Sequence, residues 1–210
     1  ITLPSLKNVE PSIGGFSANK AYKSVAKISS KYLNSESEIS GTGFAINKDM
    51  IMTAGHVCTS IMIGQLSGEL DRKIYMDYYG PDEETILQSG GLEVIAIDQI
   101  NDVCVLLKEN HHLLPVIFVK DYRSVKIHRT SAHIVGAPLG MFATTYSGEV
   151  INADIDLGGF MSHKLIVSAA GAPGNSGSPV FNEIGEVIGM MIAGDGSFDR
   201  LSICTSSVGL

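Results

Sequence analysis

Tryptophan is absent from this 210-residue chain, and only three cysteines are present. Three scattered thiols, Cys58, Cys104 and Cys204, are too few for a disulfide framework, and an odd number leaves at least one of them free. Stability is therefore expected from packing, and Cys104, inside the apolar run 103–107, reads as a small buried hydrophobe. Basic residues are also in deficit: 15 Lys and Arg stand against 22 Asp and Glu, a formal net charge of -7. With no lysine stripe or arginine cluster to neutralise phosphates, nucleic acid is not expected as a partner. No apolar run reaches the ~20 residues that span a bilayer as a helix. Metal-ligand spacing is missing as well. His111 and His112 are adjacent, so their side chains diverge on a strand, and neither has cysteine or carboxylate partners at ligand spacing. No metal or other cofactor is expected.

What the chain does contain is an ordinary globular composition, 44% hydrophobic and 18% charged, in short β-branched or alternating runs punctuated by glycine, proline, asparagine and aspartate. Helical periodicity is weak throughout, which predicts an all-β protein. Strands are expected at 25–29, 41–47, 50–53, 73–79, 92–97 and 103–107, then at 132–136, 144–152, 164–168, 179–182, 187–192 and 201–205. Between the two groups, 108–123 reads as a crossover joining halves of similar size. Two six-stranded antiparallel β-barrels with a cleft between them fit this division, because each barrel closes its own edges. The expected layout is an extended N-terminal arm over 1–24, a first barrel over 25–110, a linker over 111–123 and a second barrel over 124–210. The start at Ile1, with no methionine or leader, suggests a processed product or an excised segment.

One stretch carries chemistry. Gly174-Asn175-Ser176-Gly177-Ser178-Pro179-Val180 sets a serine in a glycine-lined turn ahead of an apolar strand. Small neighbours let a substrate carbonyl approach the hydroxyl, and the N–H groups of Gly174 and Ser176 can point at the oxyanion formed on attack. Serine is a weak nucleophile at neutral pH and needs a base with an orienting acid. Thr53-Ala54-Gly55-His56-Val57 offers the base, with His56 at the end of an apolar strand. Asn101-Asp102-Val103 offers the acid, partly desolvated at the start of a buried strand; Asp98 competes, but in a more polar segment. The order His56, Asp102, Ser176 matches two-barrel hydrolases, and neither the α/β-hydrolase nor the subtilisin order.

On these residues the chain resembles the trypsin/chymotrypsin-like serine peptidases, particularly their simpler bacterial-type branches, the HtrA/Deg proteases and the glutamyl endopeptidases. Thr53–Val57 is similar to the family's histidine motif, Asp102–Leu106 to its aspartate motif and 174–182 with 185–189 to its serine motif. Ile134-Val135-Gly136-Ala137-Pro138-Leu139-Gly140 with Ser147-Gly148-Glu149-Val150 is similar to the HtrA pattern opening the second barrel. The likeness covers residues 25–205. It implies a serine endopeptidase acting on proteins or peptides through a His56–Asp102–Ser176 triad and an acyl-enzyme, with its site in the inter-barrel cleft. Two departures qualify it. Asn175 replaces the aspartate that captures a new N-terminal amine in trypsin-like zymogens, so Ile1 is not expected to switch on the oxyanion hole. Only a short stretch follows 201–205 in this sequence, so regulation through the PDZ module of HtrA proteins is not among the expectations.

The resemblance also implies a primary specificity pocket formed by 168–172, including Ala169 and Ala170, and by Met191, Ile192 and Ala193. Neither segment carries a carboxylate, and Met191 replaces the histidine by which glutamyl endopeptidases meet their substrate. A small or medium apolar residue at the cleavage position is expected. A secreted or periplasmic location is expected, and two alternatives stay open: a viral polyprotein-processing protease of the same fold in a host cell, and a catalytically silent homologue acting as a binding module.

Overall fold

The computed structural model describes residues 15–156, 158, 162–194 and 201–210. Residues 1–14 of the expected arm, Ile1 among them, lie outside the described residues. A seven-stranded antiparallel sheet is built from β1 (Val25–Lys31), β2 (Glu38–Ala45), β3 (Met50–Ala54), β4 (Tyr75–Tyr79), β5 (Ile86–Gly90), β6 (Glu93–Asp98) and β7 (Val103–Leu107), in the order β5-β4-β1-β2-β3-β7-β6. A closed antiparallel barrel follows, from β8 (Ser131–Gly136), β9 (Thr144–Ile155), β10 (Lys164–Val167), β11 (Pro179–Phe181), β12 (Val187–Gly194) and β13 (Ser202–Ser206), in the order β10-β13-β12-β11-β8-β9. One closed barrel and a second antiparallel sheet make an all-β architecture consistent with the double barrel that the sequence predicts.

The first unit carries one strand more than expected. β5 forms a hairpin with β4, and its Ile86 and Leu87 are exposed, so the segment lacks the buried-face alternation that marks a strand in sequence. The arm also differs from an extended run in its described part. Ala18–Tyr22 forms one helical turn, α1, with Ala21 buried beneath it. Just before it, Phe16 stacks on His133 with ring centroids 4.1 Å apart and donates its N–H to the Glu183 carbonyl at 2.6 Å. The arm is thus fastened to the closed barrel before the chain enters β1.

A second helix, α2 (Gly55–Leu66), is a feature that helical periodicity could not predict. Val57, Cys58 and Ile61 are buried, while Met62, Ile63 and Leu66 are exposed. Apolar residues all round the cylinder erase the amphipathic period on which a sequence reading depends. The helix folds back over β7, and Cys58 meets Cys104 in a disulfide with Cα atoms 6.4 Å apart. This corrects the reading of Cys104 as a lone hydrophobe. Thr53 lies opposite Cys104 in the β3–β7 register, so a helix starting just beyond Thr53 brings Cys58 above that strand, a proximity no cysteine count reveals. Cys204 is the free thiol, fully buried, and burial pushes its pKa up.

Two apolar cores hold the units. One lies inside the closed barrel, with Ile134, Val150, Leu165, Val180 and Ile188. The other fills the first sheet with Ile28, Phe44, Ile51, Met76 and Leu106, and extends to Val135, Phe181, Val187, Met190 and Ile192 of the second unit. The crossover is sewn to both. Leu114 and Val116 donate to the carbonyls of Lys23 and Ala45 at 2.8 and 2.9 Å, and then Val119 donates to Val187 at 3.0 Å, while Val187 donates to Ile117 at 2.7 Å.

Candidate active site

Asp98 and Asp102 have separate tasks. Asp98 Oδ1 accepts the N–H groups of Ile100 and Asn101 at 2.9 and 3.1 Å, and its Oδ2 accepts the Asn101 amide at 2.8 Å. Those donors, the Asn101 side chain foremost, hold its carboxyl below the usual range. Asp98 builds the turn, and the turn delivers Asp102 in a left-handed conformation, φ 56°, which aspartate tolerates better than most residues. Both Asp102 oxygens then bind one residue: Oδ1 accepts the His56 backbone N–H at 2.7 Å, and Oδ2 lies 2.6 Å from His56 Nδ1. A carboxylate only accepts, so in the neutral imidazole it is Nδ1 that carries the proton and Nε2 that is left with the lone pair. The backbone adds a third tie, from Gly55 N–H to the Asp102 carbonyl at 2.8 Å. Gly55 cannot gain a side chain, since a Cβ there would sit 2.9 Å from Asp102 Oδ1. Asp102 is 11% exposed and His56 47%, so the carboxylate is shielded while the imidazole faces solvent from the first turn of α2.

Ser176 belongs to the second unit but rests against the first. Its carbonyl accepts Thr42 N–H at 2.7 Å, and Gly41 is wedged between that carbonyl and Val57, the neighbour of His56. Gly174 and Gly177 have φ of 95° and 89°, values that L side chains rarely adopt. Within the loop, Asn175 N–H donates to Ala172 at 3.0 Å, Gly177 N–H to Met191 at 2.7 Å and Ser178 N–H to Asn175 at 2.9 Å. The N–H groups of Gly174 and Ser176 meet no acceptor among the described residues. His56 and Asp102 are hydrogen-bonded; no hydrogen bond joins Ser176 to His56, a contact that in unliganded sites often tightens only with substrate. Asn175 is fully buried.

The five residues expected to line the specificity pocket are placed differently from one another. Ala169 and Met191 pack into the closed-barrel core and Ile192 into the shared core, while Ala170 and Ala193 are half-buried. The space between the two segments is tight. A Cβ added to Gly171 would lie 2.3 Å from Met191 Cε, 3.1 Å from Ser202 Oγ and 3.2 Å from Gly194 Cα. Beside His56, a hollow of about 240 Å³ is lined by Gly55, His56, Thr59, Ser60, Gln99 and Asp102. A larger one of about 440 Å³, around Tyr122, Lys126 and Val208, contains none of the expected site residues. One participant that sequence reading missed is Thr42, which touches the serine loop at several points; its signal was a polar residue between two glycines in a strand, a pattern of close backbone approach.

Comparison with known proteins places this geometry in context. In fold, the chain is similar to Deg5, with a TM-score of 0.71 and 23% identity over 88% of this chain and 85% of that one. It is similar to a serine endoprotease from Yersinia pestis, with a TM-score of 0.68 and 20% identity over 92% of this chain and 63% of the other. Residues 41–190 match the model of the trypsin-like peptidase domain, a span that runs from Gly41 through His56, Asp102 and Ser176 to Met190. The chain belongs to the trypsin-like peptidase family and is a serine endopeptidase.

Proposed function

We propose that Ser176 is the nucleophile, His56 the general base and Asp102 the group that orients His56, with the N–H groups of Gly174 and Ser176 as the oxyanion hole. The observation carrying this reading is the two-oxygen grip of Asp102 on His56, which fixes the ring and its tautomer and leaves Nε2 to act on a hydroxyl. Ser176 Oγ adds to the scissile carbonyl as its proton passes to Nε2; the imidazolium then protonates the leaving amine and the C–N bond breaks. Water then adds to the acyl carbon as one of its protons passes to Nε2; the imidazolium gives that proton to Ser176 Oγ as the ester C–O bond breaks, and the acid product leaves with the water's other proton. An alkyl fluorophosphonate should label the wild-type chain and leave a folded Ser176→Ala variant unlabelled and without peptidase activity. Labelling of that variant would refute the assignment, and lack of labelling of the wild type would favour the silent homologue.

The pocket reading is a small or medium apolar residue at the cleavage position. The Met191 thioether and the close approach of Gly171 to Gly194 support it, since they crowd the space between the two segments with uncharged groups. Cleavage of a peptide library should favour alanine- to valine-sized residues, and Met191→Ala should shift the preference toward larger apolar ones. Dominant cleavage after Glu, Lys or Arg would overturn it. The Cys58–Cys104 bond favours a secreted or periplasmic setting, because such bonds persist in oxidising compartments. No helix among the described residues is long and apolar enough to cross a membrane.

A further inference from the structure

Thr42 is buried on β2 of the first unit, yet most of its hydrogen bonds reach into the second. Its N–H donates to the Ser176 carbonyl at 2.7 Å. Its hydroxyl donates to the Gly174 carbonyl at 2.8 Å and accepts the Ala137 N–H at 3.0 Å. Its own carbonyl accepts the Thr53 hydroxyl at 2.6 Å, which ties it to the strand leading to His56. All four polar functions of one residue are engaged, and two of them end on carbonyls of the loop that presents Ser176.

The neighbouring contact completes the pattern. Leu139 N–H donates to the Pro173 carbonyl at 2.7 Å. The two peptide planes that meet at Gly174 are therefore both pinned, one by Leu139 and the other by the Thr42 hydroxyl. With both planes fixed, Gly174 is held at its left-handed φ, and its N–H, trans to the pinned Pro173 carbonyl, is turned away from Leu139. Glycine needs such restraint, because alone it samples both signs of φ almost equally. Space around the hydroxyl is equally constrained: a Cβ on Gly136 would lie 2.9 Å from Thr42 Oγ1.

We propose that Thr42 is a positioning residue for the oxyanion hole, its hydroxyl bridging Ala137 N–H and the Gly174 carbonyl so that the Gly174 donor is preorganised for the transition state. It touches neither substrate nor the reacting atoms. The inference rests on the assignment of Ser176 and the oxyanion donors made above. A preorganised donor stabilises the tetrahedral state far more than the bound substrate, so the expected signature is a selective loss of kcat.

The test uses the whole chain with a cleavable peptide and a peptide aldehyde. Ser176 Oγ adds to the aldehyde carbon, the C=O π bond opens and the serine proton ends on the new hemiacetal, whose oxygen occupies the hole. Thr42→Val keeps the shape and removes the hydroxyl. It should lower kcat by ~10–100-fold, somewhat less than outright loss of an oxyanion donor. KM should stay within about twofold, while aldehyde affinity falls by a factor similar to that in kcat. Thr42→Ser restores the hydroxyl and should recover most of both. If Thr42→Val does not fold, Thr42→Cys fills the space with a weak donor and carries the same readouts. A variant lacking the hydroxyl with kcat within twofold of wild type, or with kcat reduced but aldehyde affinity unchanged, would overturn the proposal. An inactive wild-type chain would instead overturn the Ser176 assignment.

Discussion

His111 and His133 lie outside the site, and each has its pKa lowered chiefly by burial. An unfolded histidine titrates near ~6.5, so between that value and the depressed folded one the unfolded chain binds more protons. Their contribution to stability is therefore complete above about pH 6.5 and is lost as the pH falls through the folded values. Melting temperature should drop below that pH, and His111→Gln should flatten the profile; an unchanged slope would show that His111 does not contribute. Single residues differ in how legible they were. His56, Asp102 and Ser176 stood out because each follows or precedes an apolar strand within a short motif, in an order that few hydrolases share. Asp98 could be judged only as the more polar rival, since its turn-building bonds depend on where Ile100 and Asn101 fold back. Thr42 signalled only close backbone approach, through its flanking glycines, because the carbonyls it meets lie 132 and 134 positions away in sequence, at Gly174 and Ser176.

At the scale of elements, α2 and the disulfide form one device. Cys58 and Cys104 each lie two residues beyond a member of the His56–Asp102 pair, so the bond staples the helix carrying His56 to the strand that follows Asp102. Joining residues 46 apart restricts the unfolded chain, an effect of about 2–4 kcal/mol for bridges of this kind. Replacing both cysteines with alanine should lower urea-derived stability by that amount and reduce kcat as His56 loosens. Loss of stability with kcat unchanged would separate the staple from catalysis. The strands were largely readable, since half-buried strands write their period into the chain. Where the period vanished, the elements did too: α2 is apolar on every side, and β5 is exposed at the sheet edge.

The molecule as a whole is two units joined by one of its two cores. Val135, Phe181, Val187, Met190 and Ile192 of the second unit are buried with the first sheet's interior, and Thr205 Oγ1 donates to the Asn101 carbonyl at 2.5 Å, across the junction beside Asp102. Unfolding either unit exposes apolar surface of the other, so a single cooperative transition is expected. Circular dichroism and fluorophosphonate labelling should lose signal at the same urea midpoint, and separated midpoints would show units that fold independently. From sequence alone came the all-β class and the family, and the three motif residues proposed as the site could be picked out, because local alternation and short motifs are properties of neighbouring residues. Only the tertiary structure decided the Cys58–Cys104 bond, the helix carrying His56, the closeness of Gly171 to Met191 and the place of Thr42 beneath the serine loop. Those depend on which distant segments are packed together, and side-chain period says how a strand faces its core without naming what lies across from it.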